Sequence, residues 1–80
     1  MNEPASDRER LAAGLRALRS KSGLSSTELA SRMGCSQPKV SKMELGRTLP
    51  DPADVDAWAR ITDADPETHN ALVEIAERMG

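Results

Sequence analysis

Eighty residues with a net charge of −2 suffice for one small domain, near the lower size at which a core needs no staple. Phe and Tyr are absent and the single cysteine, Cys35, cannot close an internal disulfide, so the core must be aliphatic around the lone Trp58 and the expected compartment is reducing. No apolar run approaches the roughly 18 residues of a membrane span, the N-terminus has no signal-peptide core, and interspersed charge argues against disorder.

In chain order, Leu11, Leu15 and Leu18 recur at i, i+4 and i+7, with Arg8, Arg16 and Lys21 elsewhere on the wheel. This predicts a first amphipathic helix of about four turns, capped by Ser6 or Asp7 and ended by Gly23, with residues 1–7 as a flexible arm. Ser25 and Glu28 form a capping-box pair ahead of the stripe Leu29, Ala30 and Met33, and Gly34 stops this second helix after about two turns. Ser36 is the natural cap of a third helix, about residues 37–45. Pro38 then falls in the first turn, where backbone N–H groups have no intrahelical acceptor and proline forfeits nothing. Val40 and Met43 point inward and Gly46 ends it. Asp51 caps a fourth helix from Pro52 to about Thr62, with Val55, Trp58 (or Ala59) and Ile61 inward. Asp65-Pro66 opens a fifth carrying Leu72, Val73, Ile75, Ala76 and Met79. No strand pattern is present. The expected class is all-α, one five-helix domain over residues 8–80.

Charge is unevenly placed along this chain. Residues 8–47 hold nine Lys/Arg against three acids, a local +6; residues 48–80 hold two Arg against eight acids, a local −6; residues 1–7 add −2. One face is therefore expected to meet an anion. The two helices around Gly34-Cys35-Ser36 must cross steeply, with Ala30 small enough for the crossing and Gly34 free to take a positive φ. The exposed face of the later one is then Gln37, Pro38, Lys39, Ser41 and Lys42, free of carboxylates until Glu44. Amide and ammonium groups at a helix N-terminus suit the DNA major groove, where Gln pairs with adenine, Lys with guanine and the helix end with phosphate.

The stretch LSSTELASRMGCSQPKVSKMELGRTLPDP resembles the helix-turn-helix core of the Cro/C1-type (XRE) repressor family, which includes the lambdoid phage repressors. Leu24-Ser25, Glu28-Leu29-Ala30, Gly34, Ser36-Gln37, Val40-Ser41 and Glu44-Leu45-Gly46-Arg47 carry the match. The resemblance implies a five-helix, lambda-repressor-like DNA-binding domain whose third helix reads double-stranded DNA, acting in transcription regulation as a repressor-type homodimer on an inverted repeat. It implies base contacts from Gln37, Pro38 and Lys42, and phosphate or groove-edge contacts from Ser26, Ser36, Lys39, Ser41 and Arg47. It further implies an internal salt bridge between Arg19 and Glu44. Two departures matter. Ser26 stands where many members carry Gln and is a shorter reach to phosphate. Pro38 replaces a residue that often hydrogen-bonds a base, so it offers only apolar contact, as to a thymine methyl.

Cys35 reads as a small semi-buried turn residue and His69 as a surface residue in the first turn of the last helix. With no metal-ligand cluster, no nucleophile paired with a base and no phosphate loop, neither an enzyme, a metal site nor a cofactor is expected. Missing aromatics in the basic half argue against base-stacking RNA platforms. Trp58, Ile61, Leu72, Val73, Ile75 and Met79 exceed the expected needs of so small a core, which places some of them on a dimer or partner surface. The acidic residues 51–80 favour a rival reading, a protein-interaction module such as an antitoxin or a regulator-anchoring domain. The end on ERMG, directly after a helix, fits the DNA-binding head of a longer regulator with a further C-terminal domain or a complete small one. The expected location is cytoplasmic and nucleoid-associated.

Overall fold

The computed structural model describes residues 6–79. It holds five helices, α1 (Asp7–Ser22), α2 (Ser26–Met33), α3 (Gln37–Glu44), α4 (Pro52–Ile61) and α5 (Pro66–Met79), and no strand among the described residues. No helix there is long and apolar enough to cross a membrane.

Local chemistry sets each boundary. Ser6 caps α1 by accepting from the Glu9 N–H at 3.2 Å, and Gly23 closes it at φ 78°. Ser6 and Asp7 are thus part of the helical start rather than of the expected arm; residues 1–5 of that arm lie outside the described residues. Ser25 and Glu28 complete a reciprocal capping box on α2, with Glu28 N–H to Ser25 Oγ at 3.0 Å and Ser25 N–H to Glu28 Oε1 at 3.1 Å. That hydrogen bonding holds the Glu28 carboxyl below its usual range. Asp51 and Asp54 make a second box at α4. Asp65 accepts from the Thr68 N–H and hydroxyl at 3.1 and 2.7 Å, opening α5.

The core gathers Leu11, Leu15 and Leu18 of α1, Leu29 and Ala30 of α2, Val40 and Met43 of α3, Val55, Trp58 and Ala59 of α4, and Leu72, Ile75 and Ala76 of α5. Trp58 is fully buried and its indole Nε1–H donates to the Leu15 carbonyl at 2.9 Å, pinning α4 to α1. This corrects the expected dimer or partner surface. Trp58, Leu72 and Ile75 close the monomer core, because α5 must cover both α1 and α4, while Ile61, Val73 and Met79 are only partly buried against it. Such a use of large apolar side chains leaves less for a seam than their number suggests. Close approach of α1 and α5 also depends on Gly14, where an added Cβ would stand 2.7 Å from Leu72 Cδ2.

Candidate nucleic-acid interface

The turn between α2 and α3 is built by backbone chemistry. Gly34 adopts φ 75°, its N–H bonds Ser31 O at 3.2 Å, and the Cys35 N–H bonds Ala30 O at 3.0 Å. This pattern closes α2 and turns the chain at once into the Ser36 cap of α3. Ala30 is buried at the crossing, as its size demands, and Cys35 is half-buried.

Pro38 is the second residue of α3 and is exposed, and Ser36 accepts from the Lys39 N–H at 3.4 Å. At its other end α3 closes with Gly46 at φ 72°, Gly46 N–H to Met43 O at 3.2 Å and Arg47 N–H to Lys42 O at 2.9 Å. The last bond fixes where exposed Arg47 leaves the helix. Val40 and Met43 are fully buried, so helical geometry turns Pro38, Lys39 and Lys42 outward.

Electrostatics single out α3. The other four helices each carry an acid in the first turn (Asp7 and Glu9, Glu28, Asp54, Glu67), whereas α3 has none and places Lys39 there. A carboxylate at that position stabilises a helix, and a cation opposes the dipole. The helix dipole alone does not explain the choice.

Three side-chain links hold the unit rigid. Gln37 is half-buried and its amide donates to Ser26 Oγ at 3.0 Å, joining the starts of α2 and α3 and leaving the carbonyl end of the amide outside that bond. Ser26 is therefore tied to its neighbour before any ligand arrives. Arg19 engages both carboxylate oxygens of Glu44, through Nε and, at 3.0 Å, through Nη2, and its Nη1 donates to Leu24 O at 3.1 Å. The bonds to Glu44 raise the Arg19 pKa above its ordinary value. Lys39 Nζ lies 3.7 Å from Asp54 Oδ2, an ion pair between α3 and α4 that sequence reading missed because the partners are on helices of unknown relative placement.

The structure thus brings Gln37, Pro38, Lys39, Ser41 and Lys42 onto one short helix, with Ser36 at its start, Ser26 against it and Arg47 just past its end. It also relocates His69, which is half-buried with Nε2 2.7 Å from Asp56 Oδ1, a carboxylate shared with Arg60 Nε at 3.0 Å. The His69 hydrogen bond holds the Asp56 carboxyl below its usual range. No group of three or more metal-ligating side chains occurs among the described residues. A groove of about 770 Å³ between the α1–α2 and α4–α5 turns is lined by Lys21, Arg32, Ile61 and residues 62–66, and contains no recognition-face residue.

Comparison with known proteins agrees with this geometry. The crystal structure of the clp gene regulator ClgR from C. glutamicum matches with a TM-score of 0.74 and 26% identity, covering 100% of each chain. No curated protein matches the sequence. A family model described as a helix-turn-helix domain matches residues 10–72, which contain every helix of the recognition unit. The resemblance to Cro/C1-type domains carried by the α2–α3 motif accords with the family-model match and with the structural match. The chain belongs to the helix-turn-helix domain family.

Proposed function

We propose that the protein is a DNA-binding transcription regulator of the Cro/C1 type, which lays α3 in the major groove of double-stranded DNA. The observation that carries this reading is the outer face of α3. Its own residues are cationic and carry no carboxylate, and the helix is locked to α2 by Gln37–Ser26 and to α1 by Arg19–Glu44. Gln37 and Lys42 read base edges, Pro38 supplies an apolar contact, and Ser26, Ser36, Lys39, Ser41 and Arg47 meet phosphates or the groove edge. The regulator named by the structural match supports the same class of function.

The active form is a dimer on an inverted repeat. With Trp58, Leu72 and Ile75 committed to the core, the face available to a second copy is the apolar rim of Leu49, Pro52 and Met79.

Selection of bound sequences from a random duplex pool, followed by titration at several salt concentrations, tests the reading. The expected result is an enriched symmetric sequence whose affinity falls steeply with salt. Equal affinity for every duplex, or indifference to salt, rejects it. Lys42→Ala should relax base preference, whereas Arg47→Ala should weaken all duplexes alike.

A further inference from the structure

One cation of the recognition helix is already partnered inside the chain. Lys39 stands in the first turn of α3, and its Nζ lies 3.7 Å from Asp54 Oδ2 in the first turn of α4. This is the ion pair that joins these two helices among the described residues. Asp54 is not free to swing aside. Its Oδ2 also accepts from the Asp51 N–H at 3.4 Å, the return half of the α4 capping box. The carboxylate side chain is 23% exposed, against 46% for Lys39, so the acid is the fixed member and the ammonium the movable one. Lys42, on the same outer face, has no ion pair among the described residues.

Resting on the reading of α3 as a DNA-recognition helix, we propose that Asp54 is a built-in competitor for the DNA phosphate at Lys39. A carboxylate offers an ammonium the same kind of anionic oxygen that a phosphate does. A phosphate that takes Lys39 must draw its ammonium away from Asp54, so this interface cation gives less than its full share of counterion release. Asp54 therefore weakens binding to every duplex alike and flattens its salt dependence, while the base choice of Gln37 and Lys42 is untouched. This makes Asp54 a positioning residue that sets how easily the protein leaves DNA.

The test is Asp54→Asn, which keeps an acceptor for the Asp51 amide and the shape of the side chain. Affinity is measured by fluorescence anisotropy on the selected duplex and on a random-sequence duplex, at several salt concentrations. D54N should tighten both roughly three- to fivefold, the scale of one surface ion pair. It should steepen the salt slope by up to about 0.9, the share of one phosphate, with the ratio of the two affinities unchanged. Asp51→Asn removes an equal charge one turn away and preserves an N-cap residue, so it controls for net charge and should give less than half the gain. In a Lys39→Gln background D54N should have almost no effect. Unchanged affinity of D54N, an equal gain from D51N, or a gain that persists in K39Q overturns the proposal. If the folded wild type binds no duplex, the DNA-binding reading itself falls and this proposal with it. That outcome is distinct from a wild type that binds and a D54N that binds no better.

Discussion

At the scale of single residues, Arg19 shows how one charge can tie several elements together. Its guanidinium holds the Glu44 carboxylate, which is only 9% exposed at the end of α3, and also the Leu24 carbonyl of the preceding turn. Arg19→Gln should cost about 2–3 kcal/mol of unfolding free energy, because it strands a nearly buried carboxylate rather than because the pair itself is worth so much. Urea unfolding checks this, and Glu44→Gln in the same background should recover part of the loss. Residues whose partners lie three positions away were legible from the chain alone: Ser25 with Glu28, Ser36 with Lys39, Asp65 with Thr68. Trp58 and His69 were not. An apolar count tells how much must be buried but not on which side, and the Asp56 partner of His69 is one helix away.

At the scale of elements, proline and glycine marked the starts of α3, α4 and α5 and the ends of α1, α2 and α3. The end of α4 carried no such mark. Asp63 there adopts φ 57° just after the Thr62 cap, with Ala64 N–H to Ala59 O at 2.9 Å, a helix stop normally given to glycine. Asp63→Gly should therefore stabilise the fold by about 0.5–1 kcal/mol, read as a rise in thermal midpoint, since relief of the left-handed strain exceeds the entropy glycine adds to the unfolded chain. Helix ends also set the acid response. Glu28 at the start of α2, Asp65 at the start of α5 and Asp56 within α4 all have carboxyl pKa values lowered by hydrogen bonds, from Ser25, Thr68 and His69 in turn. A lowered folded-state pKa contributes stability that is complete at neutral pH and is lost as pH falls through about 4 and below. The thermal midpoint should be flat from pH 7 to about 5 and drop beneath it, and Asp56→Asn should lower the neutral-pH midpoint while shrinking the acid drop.

At the scale of the molecule, the +6 stretch of the chain folds into α1–α3 and the −6 stretch into α4–α5. The candidate recognition stretch was legible because its chemistry is packed into about two dozen consecutive residues. The rim proposed for a second copy was not, because it lies where the α3–α4 loop meets the end of α5, about 30 residues further on. Leu49 is 44% exposed there, beside Pro50, Pro52, Ala76 and Met79. Leu49→Glu places a charge on that rim without touching the core or the outer face of α3, so folding and contact with a single half-site should persist. Sedimentation velocity should show a wild-type dimer giving way to monomer in L49E. Binding to an inverted repeat should weaken at least tenfold while binding to an isolated half-site stays within about twofold, because only the linkage between two modules is lost. An L49E protein that sediments as the wild type does and binds both duplexes unchanged would move the dimer seam to another face of the molecule.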